Sequence, residues 1–562
     1  MRNIIGLDTE TILKKRSYQF FSAQFYCKEL GMHDFVSDPE QLRSYFTCKT
    51  RGSIFLAQNA EYDFTVLRKA LKSDYFTFKF LQNKGRFIYG KLVRQDHAWS
   101  IYDLRNIFVN WSLKRIGEFI DLKKLDKPSY LGLRIPETPK EWIYFKKYAL
   151  RDAEICYKAG KWIIDNCGFI KVTTPSLSFS IFNKHFKPYG IYLKIEDSIA
   201  KKLRLAYKGG RSECFIRGSP EKKVYVYDVV SLYSYIMRNY KVPLGIGKLH
   251  HKKTLDLSHE GIANVYIEQD AAIPVLPLKM FTKDGTYKLV FPNGKFASWF
   301  TYPELRYLEW KNLGKILKVH EAFEVERSTH AFKPFVDYYF NLKQTDVKGS
   351  AFWKLFLNSL YGKFAQDVAS PELLVSLDGD VTELEKFSKK KLMVQTNIMV
   401  AAYITARARL YMHSLYEKVG IKNMVYTDTD SIHTFKPFSI IGENLGDLSF
   451  KGETDGLRRS TYIRSKFYVF NDVLKCKGLQ YVLKADDMRK LIEIGNVEVL
   501  TKMLLRIRSA FRRHKELLTE TDMIKRFTLE NDGKRSYRKA LYGKQLLIDY
   551  TDSKAVVLHG LE

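Results

Sequence analysis

The sequence predicts a multidomain chain in which an α/β unit is followed by a larger α+β unit. Three observations carry that expectation. The chain has 562 residues, whereas one globular unit usually takes about 100–200. Short apolar runs near its start are each followed by acids. A Thr173-Thr174-Pro175-Ser176 stretch after Gly168 then breaks the pattern as a domain boundary would.

Ile4–Leu7 and Ile54–Leu56 read as short buried strands. Pro139–Ile164 reads as a helix, because apolar residues recur at three- and four-residue steps. Thr138 and Glu141 have the spacing of a capping box, with Pro139 at the first helical position, where a missing N–H costs nothing. Beyond the boundary, Val224–Tyr227 reads as a strand and Ala351–Phe364 as a helix. Met424–Thr427 and Ser431–Phe435 read as strands flanking an acidic turn. The last stretch, roughly 80 residues, reads as basic α+β. There is no internal repeat and no phosphate loop of the G-x-x-x-x-G-K-[ST] type, which counts against an ATP-driven helicase.

Lys and Arg number 93 against 62 Asp and Glu, a formal charge of +31 that suits a protein lying along a polyanion. With 45% hydrophobic and 14% aromatic residues the chain can also build large cores, unlike a small basic binder. Its six cysteines are dispersed with no C-x-x-C spacing, so neither a zinc site nor a disulfide framework is expected. No apolar run approaches the roughly 20 residues that span a bilayer. A cytoplasmic protein without a membrane partner is the expectation.

Asp8 and Glu10 stand two apart at a strand end, where both can project to one side and bind hard cations through oxygen. Alone, such a pair is usually a solvated strand end. Asp63 follows the next strand, and Tyr148 and Asp152 share a helix face as i and i+4. Four carboxylates on three elements make sense if they converge on two metal ions that activate water against a phosphodiester, with Tyr148 orienting the water. The set resembles the DEDD exonuclease family in its Y-x-x-x-D form. That resemblance implies Asp8, Glu10, Asp63 and Asp152 as metal ligands, and Thr11, Asn59 and Tyr62 as holders of single-stranded DNA. It extends more loosely to Ser112 and Leu113 as further DNA contacts and to Lys124 as support for the reacting phosphate.

A second constellation lies downstream. Asp228 ends an apolar strand, and Asp428 and Asp430 occupy a turn between two others, so neighbouring strands would gather three carboxylates. A D-T-D alone is commonly just a charged β-turn. Lys354, Asn358 and Tyr361 fall at i, i+4 and i+7, a polar and aromatic stripe where a core helix would be aliphatic. Nucleotide addition needs one metal for the primer hydroxyl and another for the triphosphate. Asp228 and Asp430 are the expected bridging ligands, with Asp428 close by.

In this order, Asp228-Val-Val-Ser231-Leu232-Tyr233, Lys354-x-x-x-Asn358-Ser359-Leu360-Tyr361-Gly362 and Tyr426-Thr427-Asp428-Thr429-Asp430-Ser431 resemble motifs A, B and C of family B DNA polymerases. One departure is Ser234, where the family's motif A carries proline. The resemblance implies an RNase H-like exonuclease domain over 1–170 and a right-hand polymerase domain over 171–562. It also implies Mg²⁺ or Mn²⁺, two ions per active site, with primer–template DNA and dNTPs as partners. Tyr233 would be the gate against a ribose 2′-hydroxyl. Lys354, Asn358 and Tyr361 would meet the nucleotide.

Smaller matches narrow the branch. Tyr207-Lys208-Gly209-Gly210, Thr405-Ala-Arg-Ala-Arg409 and Lys466-Phe467-Tyr468 resemble elements of the protein-primed subgroup, which starts on the hydroxyl of a terminal protein. On that resemblance Tyr207, Gly209, Gly210, Thr405 and Arg409 would contact DNA, and Lys466 and Tyr468 primer or nucleotide. The layout agrees, since 126 positions separate Asp228 from Lys354, room for an insertion. The implied map is palm at 171–240 and 397–485, a terminal-protein-region insertion at 241–340, fingers at 341–366, a second insertion at 367–394 and a thumb at 486–562. Arg506–Lys515 would hold duplex phosphates. A viral, phage or plasmid source is implied, hence a host cytoplasm. A minimal nucleic-acid-primed polymerase remains open as the alternative, as does a non-catalytic DNA-binding accessory protein.

Overall fold

The computed structural model describes residues 2–561 apart from 15–16, 72–75, 84–85, 193–194, 252, 283–285, 367–372, 377–383, 387–396, 455–457, 478–495 and 505–519. The expected Arg506–Lys515 thumb surface and most of the second insertion lie outside the described residues.

The first unit is built on a sheet whose strands run in the order Thr77–Asn83, Arg86–Arg94, His97–Asp103, Ile54–Ala57, Ile4–Lys14, Ser17–Cys27 and Met32–Val36. Ile4–Lys14 pairs parallel with Ile54–Ala57 and antiparallel with Ser17–Cys27, the latter with a bulge at Glu10/Thr11. Two strands from the expected second insertion, Leu373–Ser376 and Leu384–Lys386, extend this sheet beyond Thr77–Asn83. The helix predicted from periodicity runs Pro139–Cys167, begins with the Thr138/Glu141 capping box and ends at Gly168 with φ +78. It crosses the sheet at close range. A Cβ on Gly6 would stand 1.9 Å from the Ala153 carbonyl oxygen, and one on Gly160 would stand 2.2 Å from Leu56 Cδ1, so glycine sets the helix-to-sheet spacing.

Thr173 caps the next helix, Thr174–His185, so the boundary stretch is a helix start rather than a loose linker. This helix packs on Ser350–Phe364, the predicted motif B helix. The second unit centres on a five-stranded sheet ordered Leu448–Glu453, Tyr225–Val229, Ser431–Thr434, Met424–Asp428 and Ser212–Cys214. The three strands predicted here are present. The long helix Ile398–Val419 packs against Leu232–Asn239 and Ser350–Phe364. Within the expected 241–340 insertion, Val242–His250, Gly314–Thr329, Glu260–Gln269 and Asn293–Thr301 form a sheet that Val557–Leu561 joins in parallel. Arg535–Tyr537 and Tyr550–Ala555 join Ile216–Gly218 in another sheet. The described end of the chain is thus mostly strand, because it completes sheets begun far upstream.

An aromatic seam joins the two units. Trp162 meets Phe352 at 5.1 Å and Trp353 at 5.7 Å between ring centroids, and Phe108 meets Phe352 at 5.5 Å. Behind the Met424–Thr434 hairpin, His433 is buried among Tyr426, Tyr462 and Tyr468, with Nδ1 2.8 Å from the Tyr462 hydroxyl. Burial pushes this imidazole down to about 3.

Two expectations follow from this packing. Gly6→Ala should cost about 1–3 kcal/mol by overpacking and push the 139–167 helix off the sheet, seen as a lower midpoint in denaturant unfolding. His433 stays neutral in the folded chain while the unfolded chain takes up its proton below about pH 6.5. Stability from this site therefore falls by up to about 1.4 kcal/mol per pH unit as pH drops from about 6.5 toward the folded value. His433→Gln lacks that slope, so the stability gap between it and the parent should narrow between pH 8 and pH 4.5.

Candidate active sites

The first site lies where the Ile4–Lys14 strand, the Ala60–Leu71 helix and the Pro139–Cys167 helix meet. Asp8 and Glu10 come from the strand, Asp63 from the first turn of one helix, and Tyr148 and Asp152 from the face of the other that packs on the sheet. Thr9 donates to Asp63 Oδ1 at 2.8 Å, locking that helix to the strand. Burial, then Glu10, Asp152 and Asp63, raise the Asp8 carboxyl well above its ordinary value. Burial and Asp152 push Glu10 up to about 8, and burial raises Asp63 to about 7. Such values mark a pocket short of positive charge.

Lys124 supplies one. Its ammonium donates to Asp152 Oδ2 and, at 3.4 Å, to the Tyr148 hydroxyl, and lies 4.6 Å from the Tyr148 ring centroid. Asp8 Oδ2 and Asp152 Oδ1 are buried with no hydrogen-bond partner. Among the described residues no three His, Cys, Asp or Glu side chains close into a metal-holding cluster. The donor set nevertheless fits hard divalent cations: carboxylate oxygens only, two of them orphaned, in a pocket where added positive charge would restore ionisation.

Around this pocket Tyr62 and Thr11 share a hydrogen bond between hydroxyls. Asn59 has φ +69; its N–H donates to Asp103 at 3.0 Å and its Oδ1 accepts from Arg105 at 2.6 Å. Asp103 and Arg105 were not foreseen, since nothing in their own spacing distinguishes them. Ser112 accepts from the Arg115 N–H at 3.2 Å as cap of the Leu113–Phe119 helix, and Leu113 is half-buried against the core. Ser112 stays exposed in that cap position.

The second site forms at one end of the five-stranded sheet. Asp228 pairs with Ser431, and Asp428 with Ser431 and Ser212, so the three acids come to the same end of adjacent strands. Thr429 at the tip has φ +64, and its N–H donates to the Arg211 carbonyl at 2.7 Å. A Cβ on Gly210 would stand 2.9 Å from Thr429 Cγ2, so the Gly209-Gly210 loop buttresses the acidic tip. Burial, then Asp228, push Asp430 up to about 6; burial raises Asp228, opposed by Lys451 and Lys354. Lys466 binds both oxygens of Asp428, at 2.5 and 2.7 Å. Raised carboxyls again mark a place where added positive charge would restore ionisation, which suits divalent cations, and among the described residues Asp228 and Asp430 are the pair not held by a lysine contact.

The motif B helix buries Phe352, Phe356, Leu357, Leu360 and Phe364 and turns Lys354, Asn358 and Tyr361 toward the acids. Tyr233 and Tyr361 stack at 4.5 Å and 28°. Ser234 donates to Asn358 Oδ1 at 3.0 Å, so the departure from proline creates a bond between the first and second motifs. Tyr468 packs on Tyr426 at 4.8 Å beside the hairpin. Lys343, whose ammonium donates to Ser231 at 3.4 Å, and Lys451 join this site without a sequence signal.

Two residues expected on the DNA surface are instead internal. Thr405 is buried and its hydroxyl donates back to the Ala401 and Ala402 carbonyls. Arg409 is buried, binds Glu304 at 2.6 Å and donates to the carbonyls of Lys208 and Gly209. A guanidinium so enclosed holds the Tyr207–Gly210 loop rather than a phosphate. Glu304 also caps the Tyr302–Trp310 helix of the insertion, so this contact ties insertion, loop and acidic tip together. Tyr207 is half-buried and Gly209 exposed on that loop.

Comparison with known proteins agrees with this geometry. The family described as DNA polymerase type B, organellar and viral, matches residues 139–438. A Neurospora intermedia protein named "Probable DNA polymerase" is 28% identical over 300 residues, 46% of this chain; the chain spans only 30% of that relative's length. The DNA polymerase of Bacillus phage phi29 is 27% identical over 395 residues, 66% of each chain. A solved structure of phi29 DNA polymerase with primer–template DNA and incoming nucleotide superposes with a TM-score of 0.73 at 17% identity, covering 94% of this chain and 100% of that one. The fold is accordingly an exonuclease domain followed by palm, fingers and thumb, and the chain belongs to the organellar and viral type B DNA polymerases.

Proposed function

We propose that this chain is a DNA-dependent DNA polymerase with its own 3′→5′ proofreading exonuclease, extending from a terminal protein primer. The observation that carries the reading is the convergence of two separate carboxylate sets, Asp8, Glu10, Asp63 and Asp152 in one pocket and half-buried Asp228 and Asp430 in the other, all raised above their ordinary ionisation range and fed by motifs distant in sequence. Divalent ions, Mg²⁺ or Mn²⁺, would activate the primer hydroxyl and shield the leaving pyrophosphate at one site, and activate water at the other. Asp228 and Asp430 would hold them in the palm; Asp8, Glu10, Asp63 and Asp152 in the exonuclease domain.

The remaining residues bind and orient. Lys354 brings charge to the triphosphate, and the stacked Tyr233 and Tyr361 rings form a floor for the nascent base pair. Lys466 holds Asp428 and so fixes the hairpin tip beside the primer end. In the exonuclease pocket Tyr62 and Asn59 would seat the unpaired primer strand. Lys124 keeps Asp152 and Tyr148 in register, and would have to leave Asp152 Oδ2 for a cation to take it. The family resemblance and the 241–340 insertion support protein priming. The 27–28% relatives support DNA and dNTPs as substrates.

Primer extension with Mg²⁺ tests the reading. Asp430→Ala should degrade an end-labelled primer yet lose extension by at least about 1,000-fold, while Asp8→Ala with Asp63→Ala should extend without degrading. Survival of both activities in both variants would refute the carboxylate assignment. Tyr233→Val should admit ribonucleotides, with the rNTP to dNTP incorporation ratio rising at least about tenfold; an unchanged ratio would remove Tyr233 as the gate. Extension of a primerless origin fragment only after terminal protein is added is the outcome expected for protein priming.

A further inference from the structure

The palm sheet has a second feature at the end away from its acids. A cavity of about 890 Å³ opens there between Met424 and Phe435 at the base of the hairpin, the Tyr550–Ala555 strand, and Ala271 and Asn293 of the insertion. Asp428 lies four residues beyond Met424 along one strand, roughly 13 Å at the usual rise per residue. The cavity is thus separate from both carboxylate sites.

Its lining is uneven in charge. Lys222, Lys422, Arg535, Arg538, Lys539 and Lys554 face it, against the carboxylates Asp270 and Asp552. Asp552 is already paired with Arg538 at 3.2 Å. Buried Arg535 is committed to Glu213 and Ser553, so it forms part of the floor. Lys222, Lys422 and Lys554 are exposed at the mouth and have no carboxylate partner among the described residues. Three rings line the same space: buried Phe215, and Phe435 and Tyr550 at 6.4 Å and 63° from each other. Lys222 lies 5.6 Å from the Phe435 ring centroid.

A cationic mouth over an aromatic wall matches a ligand with a phosphate end and a flat base. The volume falls in the range of small-molecule sites, about 300–1,000 Å³, rather than that of a groove for a continuing strand. We propose that this rear cavity is a second nucleotide site, which takes a free nucleoside triphosphate with its phosphates on Lys422 and Lys554 and its base against Phe435 and Tyr550.

The test is calorimetric titration of the full chain with dATP, without DNA and with chelator to suppress metal-dependent binding in the catalytic site. The parent should bind one dATP. Lys422→Ala with Lys554→Ala should weaken binding by about tenfold, the loss expected for two exposed ion pairs, and Tyr550→Leu should weaken it as well. Lys354→Ala, in the catalytic site, should bind like the parent. The lysine double variant should unfold at the parent's temperature and extend a primer at the parent's rate. No dATP binding by the parent, loss of binding in Lys354→Ala, or retention in the lysine variant would overturn the proposal. So would inorganic tripolyphosphate binding as tightly as dATP, which would leave the rings without a role. Oligothymidylate bound at these lysines and not displaced by dATP would overturn it in favour of a strand-binding surface.

Discussion

Carboxylates gathered in a buried pocket repel one another and lose their hydration together. A protein can keep them there only if several elements hold each one in place and some positive charge stands within reach. Much of this chain's architecture answers that constraint. In the exonuclease domain the strand, two helices and Lys124 fix four acids from separate directions. In the palm, Lys466, Lys354 and Lys451 surround three. Glycine at Gly6, Gly160 and Gly210 lets backbone come close enough for the acids to meet at all.

The two sites are also mechanically joined. The helix that carries Tyr148 and Asp152 near its middle carries Trp162 further along, and Trp162 packs on the motif B helix through Phe352 and Trp353. One helix therefore reaches from the Asp8, Glu10, Asp63 and Asp152 set to the helix that carries Lys354, Asn358 and Tyr361. On the other side, the Glu304–Arg409 pair links the insertion to the loop that supports Thr429. Displacement of either neighbour would be felt at the palm carboxylates through packed, hydrogen-bonded contacts.

The sequence was most legible where chemistry and local geometry coincide. The Thr138–Glu141 cap follows from spacing, the carboxylates and the 354/358/361 stripe from spacing together with the ordered motif resemblance, and the structure puts each on the element expected for it. Arg409 and Thr405 misled because a charged or hydroxyl side chain in a binding motif looks the same whether it faces a phosphate or a neighbouring loop. Only the fold reveals that Arg409 meets Glu304, 105 positions away. Lys343, Lys451, Asp103 and Arg105 were invisible for the same reason: long-range packing, not local pattern, brings them to the sites. Pairing of strands from the end of the chain with Ile216–Gly218 and Asn293–Thr301 likewise leaves no periodic trace.

That last pairing bears on how the chain comes off the ribosome. The Asn293–Thr301 strand pairs with Glu260–Gln269 on one side, and its other partner is residues 557–561. More than 250 residues must be synthesised in between, a matter of tens of seconds at ordinary elongation rates. Through that interval the insertion sheet presents an unpaired strand edge to the cell, an opening for mispairing or for a chaperone. The insertion sheet is therefore among the last parts of the molecule to be sealed.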